Sequence, residues 1–152
     1  RINKSLYFFL KKYFYNHFYK YIFYRINTPS GHTSSIIVLR IFKHAKSSCL
    51  RIIDIIGNVE NLSNVYDPLL KVLEQSNHEY LDCLIGGSDT SFLTYSGFID
   101  VDEQEIIVPE YFEPFLRENK VINYCSNSSY PYYIFKGDGD QDRPNILKKI
   151  HG

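Results

Sequence analysis

An apolar run, a glycine, a helical stripe and a second apolar run follow one another between Cys49 and Ile85, and no other stretch limits the fold so tightly. Leu50-Arg51-Ile52-Ile53-Asp54-Ile55-Ile56 is short, β-branched and nearly continuous in apolar character, the pattern of a strand covered on both faces. Gly57-Asn58 ends it as a turn. Asn61 then offers a helix N-cap, with Glu60 beside the first turn, where the helix dipole favours an anion. Leu62, Val65, Tyr66, Leu69, Leu70 and Leu73 recur at helical spacing. Glu79 to Ile85 reads as the next strand, closed by Gly86-Gly87. Strand 49–56, helix 61–75 and strand 79–85 predict a parallel βαβ unit with a right-handed crossover. In such a unit the amides at the helix N-terminus point past the carboxyl end of the first strand, so an anion site is expected between Gly57 and Leu62.

A chain of 152 residues fits one domain with a core of its own. Its 14 Tyr and 11 Phe, within a hydrophobic share of 44%, favour a folded domain over disorder. The 17 basic and 17 acidic residues cancel, and no nucleic-acid partner is expected. Their distribution is uneven, because Arg1, Lys4, Lys11, Lys12, Lys20, Arg25, Arg40, Lys43, Lys46 and Arg51 all precede the first acid, Asp54. Either the two halves neutralise each other in the fold, or the first half forms a basic face for an anionic ligand.

Cys49, Cys83 and Cys125 are odd in number and form no Cys-x-x-Cys pair. Reduced thiols in a cytoplasmic protein are the simplest expectation, with Cys49 and Cys83 filling the core. No apolar run reaches the roughly 18 residues that a membrane span needs. The chain opens on Arg1 instead of Met, so an upstream segment of the natural protein is expected.

Leu6, Phe9, Leu10, Tyr13, Phe14, His17 and Phe18 form a helical stripe, with Lys4, Lys11, Lys12 and Asn16 largely off it. Such a helix packs on a sheet, or lies on a membrane surface or against a partner. Residues 21–26 and 34–43 read as strands joined by the turn Pro29-Ser30-Gly31, and with strand 49–56 they predict an antiparallel meander. Ser88 or Asp89 can cap a short helix through Phe92, Leu93 and Tyr95 that stops at Gly97. Ile106-Ile107-Val108, residues 121–124 and residues 132–136 look like further strands. Pro109 and Pro114 bracket a segment unfit for the middle of a sheet.

Four stretches carry a resemblance: residues 13–21 (YFYNHFYKY), 50–57 (LRIIDIIG), 107–115 (IVPEYFEPF) and 135–145 (FKGDGDQDRPN). They resemble segments of GNAT-superfamily proteins, acyl-CoA-dependent N-acetyltransferases, from bacterial surface-polysaccharide biosynthesis. The element order also resembles that fold from its second helix onward. The implied architecture is α/β, a mixed, mostly antiparallel sheet with helices on both faces and one parallel βαβ unit. Residues 1–145 would form one domain lacking the fold's first strand and helix, and 146–152 a tail. The resemblance implies transfer of an acetyl group from acetyl-CoA to a small amine, such as an amino sugar. Ile55, Ile56, Gly57, Asn58 and Asn61 would then hold the donor, through strand amides for the pantetheine arm and loop amides for the pyrophosphate. Strand 79–85 would splay away to admit the thioester.

This chain departs from the superfamily pattern at two points. Its loop, Gly57-Asn58-Val59-Glu60-Asn61-Leu62, lacks the usual second small residue and carries Glu60. Leu93 stands where many members place a proton-donating Tyr, and Tyr95 falls on another helix face. Asp54, inside an apolar strand where desolvation raises a carboxyl pKa, is the candidate base. The alternative is a buried Asp54 paired with Arg40 or Arg51, of which Arg51 is the poorer partner because strand alternation puts it on the opposite face. Arg40 could clamp a phosphate or pair within the sheet.

Asp138-Gly139-Asp140-Gln141-Asp142 starts like a calcium loop, but Arg143 and Lys149 occupy positions that need Gly and Glu, so no metal is expected. The carboxylates and Arg143 are instead expected to form hydrogen bonds closing the C-terminal end over the sheet, with a role for Asp140, Asp142 and Arg143 in holding an amino-sugar substrate as the alternative. The five histidines lack metal-ligand spacing. Two functions follow: an N-acyltransferase, or a GNAT-shaped module that binds or regulates without catalysis.

Overall fold

The long central strands present a different apolar set to each side of the sheet, and each set meets a different group of helices. A computed structural model describes residues 4–109, 117–119, 121–127 and 129–139. Strands β1 (Ile22–Asn27), β2 (Thr33–His44) and β3 (Ser47–Gly57) form the antiparallel meander, and β4 (Leu81–Cys83) joins β3 in parallel, giving the order β1-β2-β3-β4. β5 (Ile85–Gly87) and β6 (Tyr133–Phe135) form a separate antiparallel pair. The sheet is thus mixed and mostly antiparallel with one parallel pair, as the apolar pattern predicts.

On one face Ile37, Leu39, Leu50, Ile52 and Ile55 pack with Leu69 of α2 (Tyr66–Ser76) and with Phe92 and Leu93 of α3 (Ser91–Tyr95). On the other face Val38, Phe42, Cys49 and Ile53 pack with Tyr13, Phe8 and Phe9 of the first helix. That helix runs as α1 (Leu6–Phe9) and continues as a π-helical turn (Leu10–Phe14). The wide turn shifts the register expected of an even α-helix. Phe9 and Tyr13 of the predicted stripe face the sheet, but Leu6, Phe14 and Phe18 are exposed. Lys4, placed off the stripe by spacing, is turned inward.

Val38 pairs with Asp54 while Leu39 pairs with Ile52, so β3 carries a bulge between them. Ile53 and Asp54 consequently both face the first helix. This corrects the expectation that Asp54 and Arg51 lie on opposite faces, because alternation holds only where the ladder is regular.

The predicted helix 61–75 is also corrected. Val59–Asn64 is a 3-10 turn capped by Asn58, and α2 begins only at Tyr66. Pro68 explains the late start: proline lacks an N–H and is tolerated only in the first turn of an α-helix. Asn61 is therefore not the cap of α2. α2 ends at Asn77, whose φ of 54° is the left-handed conformation of a helix stop. Residues 106–108 and 121–124 form no strand.

Candidate functional site

β3 and β4 share a ladder of only three residue pairs, Leu50 with Leu81, Arg51 with Asp82 and Ile52 with Cys83. The chain then breaks at Leu84 and turns to pair with β6, Ile85 opposite Phe135. The predicted strand 79–85 is thus two strands with different partners. Among the described residues, the carboxyl-terminal half of β3 has no parallel neighbour, and a wedge opens beside Ile53 and Asp54.

The protein's own residues line this wedge. A 3-10 turn, Lys136–Asp138, follows β6, and its Lys136 N–H donates to the Leu84 carbonyl at 3.2 Å. A Cβ on Gly137 would lie 2.3 Å from the Tyr13 hydroxyl and 2.8 Å from the Ile53 carbonyl oxygen, so only glycine fits there. The Lys12 ammonium donates to the Gly137 carbonyl and fastens the turn to the first helix.

Asp54 lies at the floor, with no solvent exposure. Its carboxylate accepts from the Lys4 ammonium, from the Tyr13 hydroxyl at 2.6 Å and from the Ile55 amide at 2.8 Å. Lys4 also pairs with Asp138 at 2.9 Å, whose other oxygen accepts from the Phe135 amide at 2.9 Å. Asp54 is therefore an ion-paired buried acid, and its partners are Lys4 and Tyr13 instead of Arg40 or Arg51. Burial pushes the Asp54 carboxyl up from the ordinary aspartate range, and the Lys4 ammonium only partly offsets it. Burial and the adjacent carboxylate drive the Tyr13 phenol far above its usual range, so it stays a donor.

The loop after β3 is occupied in a similar way. Gly57 has φ +104°, and a Cβ there would sit 2.3 Å from the Ser34 carbonyl. The Asn58 amide donates to Ser34 O at 3.3 Å, the Glu60 amide to Asn58 Oδ1 at 3.1 Å and the Asn61 amide to Asn58 O at 3.4 Å. Ser35 Oγ donates to the Asn58 carbonyl at 2.6 Å, and the Asn61 side-chain amide reaches the hydroxyls of Ser34 and Ser35. Asn58 and Asn61 thus tie the loop to β2. Three amides of this loop are thus engaged within the protein, and Glu60 adds a negative charge beside them.

The remaining candidates fall elsewhere. Arg40 is buried, its guanidinium 3.9 Å from the Tyr19 ring centroid and 4.0 Å from that of Phe42. Arg51 makes a parallel pair of bonds to Asp82, both 2.7 Å, within the three-pair ladder. Ile55 is buried in the core and Ile56 is half-buried. Asp140, Asp142 and Arg143 lie outside the described residues. Leu93 is buried and Tyr95 exposed, which places them on different faces of α3. Lys4 and Tyr13, which reach Asp54, and Asp82, which pairs with Arg51 in the ladder, carry no site role in the sequence reading. Among the described residues, no three His, Cys, Asp or Glu side chains are grouped to hold a metal ion. No helix among them is long and apolar enough to cross a membrane. No protein-family model, curated protein or solved structure matches the chain.

Proposed function

We propose that this chain works as a non-catalytic binding or regulatory module on a GNAT-like frame. The observation that carries the reading is Asp54, sealed from solvent and shared among Lys4, Tyr13 and its neighbour's amide. To accept a proton from an attacking amine it would have to give up Lys4, leaving a buried ammonium with one partner fewer. The committed amides between Asn58 and Asn61 support the same reading.

A second reading, an acyl-CoA-dependent N-acyltransferase acting on a small amine, draws on a different observation. The three-pair ladder followed by divergence is the frame such an enzyme needs, because parting strands make room for a thioester.

Calorimetric titration with acetyl-CoA separates the two. The module reading expects no binding heat at millimolar ligand. Heat that disappears in Gly57→Trp would overturn it in favour of acyl transfer. Asp54→Asn with an unaltered pH–rate profile would then remove Asp54 as the base.

A further inference from the structure

The first helix is apolar on two sides, and among the described residues only one of them packs against the sheet. Phe8, Phe9 and Tyr13 face the sheet. Leu6, Tyr7, Phe14, Tyr15 and Phe18 point outward, each between 59% and 72% exposed. Lys11 lies over the Tyr7 ring and the Phe14 and Tyr15 rings meet edge-on 5.3 Å apart, with Phe18 just past the helix end, and these exposed side chains make up an outward aromatic stripe. Its carboxyl-terminal end is held in shape: the Asn16 side chain accepts from the amides of Phe18 at 2.9 Å and Tyr19 at 2.7 Å, and donates to the Lys12 carbonyl at 3.0 Å. The Phe14 ring also lies 6.4 Å from Phe23, fixing it against β1. A concentration of large exposed aromatics on a built surface marks an interaction site.

The charge pattern selects the partner. Lys11 stands in the middle of the stripe, its ammonium 5.8 Å from the Tyr7 ring centroid. Lys20 and Arg25, both exposed, follow the stripe in the chain. No Asp or Glu occurs before Asp54, so the face has cations and no acid from its own segment to neutralise them. The core of a protein–protein interface is depleted of lysine. A lipid headgroup layer accommodates it, because the ammonium extends to the phosphates while tyrosine and phenylalanine rings settle at the acyl boundary.

We infer that the outward stripe of the first helix seats this protein on the surface of an anionic phospholipid bilayer. The helix is far too short to span one and would lie in the plane of the interface. The inference does not depend on what the wedge between β3 and β4 binds.

Vesicle co-sedimentation of the full chain tests it. The protein is expected to pellet with phosphatidylcholine vesicles containing about 30% phosphatidylglycerol, to stay in solution with pure phosphatidylcholine, and to be released by salt. Because the chain has no tryptophan, Tyr7→Trp supplies a single reporter whose emission should shift to the blue on adding the anionic vesicles. Tyr7→Ser combined with Phe18→Ser should lower partitioning by about tenfold or more and leave the thermal melt unchanged. Lys11→Glu should weaken binding to the anionic vesicles in the same direction. Equal pelleting of wild type and the double variant would overturn the inference, as would no pelleting with anionic vesicles. A lipid-independent dimer in analytical ultracentrifugation that the double variant abolishes would overturn it too, by giving the face to a second protein copy.

Discussion

Lys4 and Asp54, fifty positions apart in the chain, form an ion pair whose side chains are 6% and 0% exposed. The pair joins the start of the first helix to the bulge of β3 at the point where β4 leaves the sheet. It therefore links the packing of one face of the sheet to the shape of the wedge.

Lys4→Met should be costly, because it leaves the Asp54 carboxylate buried with only Tyr13 and an amide as donors. Removing one member of a buried pair typically costs about 3 kcal/mol or more. Lys4→Met combined with Asp54→Leu should recover only part of that loss, since Asp138, 8% exposed, still loses its ammonium partner and the Tyr13 hydroxyl loses its acceptor. Urea denaturation checks both, and an unchanged midpoint for Lys4→Met would contradict the buried pair.

The raised Asp54 pKa has a pH signature. The folded state holds this proton more tightly than the unfolded chain. The contribution to stability is therefore greatest below the ordinary aspartate range and is lost as pH rises through the folded value. Asp54→Asn removes this group's slope. The stability difference between wild type and Asp54→Asn, measured from about pH 4 to about pH 7, should move against the wild type as pH rises. A flat difference would contradict the raised value.

Asp82→Ala should destabilise by about 3 kcal/mol, because it strips a buried guanidinium of its two parallel bonds. Arg51→Lys keeps the charge but is expected to lose much of the stability as well, since one ammonium cannot reproduce the planar fork. Chemical denaturation of the two variants, compared with Asp82→Asn, orders these effects.

Two glycines with positive φ make a contrast. A Cβ on Gly31, φ +86°, would meet nothing within 4 Å, whereas one on Gly57 would meet the Ser34 carbonyl at 2.3 Å. Gly31→Ala should cost about 1 kcal/mol from the backbone alone. Gly57→Ala should cost about 3 kcal/mol, because a backbone oxygen must also move. Equal melting temperatures for the two variants would contradict the close approach at Gly57.

Much of the frame was legible from local pattern. The β-branched run at residues 50–56, the turn signals at Gly31 and Gly57 and the helical stripe from Leu62 to Leu73 each report a preference of the chain over a few neighbouring residues. Pro68 also carries a local signal, since its missing N–H disfavours an α-helix that begins near Asn61. The candidate site was less accessible. Lys4 looked solvent-facing because periodicity assumes an even helix, and the π turn breaks that assumption. The break at Leu84 arises from the pairing of Ile85 with Phe135, far along the chain, and leaves no local mark.

The sequence by itself determined the three meander strands, the order of helices and the single parallel pair, because hydrophobic spacing and turn chemistry act over short ranges. Only the tertiary structure decided which partners Asp54, Asn58 and Asn61 meet. A carboxylate or an amide can serve a ligand or the fold with the same chemistry, and the choice rests on which donors and acceptors the folded chain brings within reach. Here Lys4, Tyr13 and the serines of β2 arrive first, and the groups that the sequence offered to a ligand hold the wedge and its loop in place.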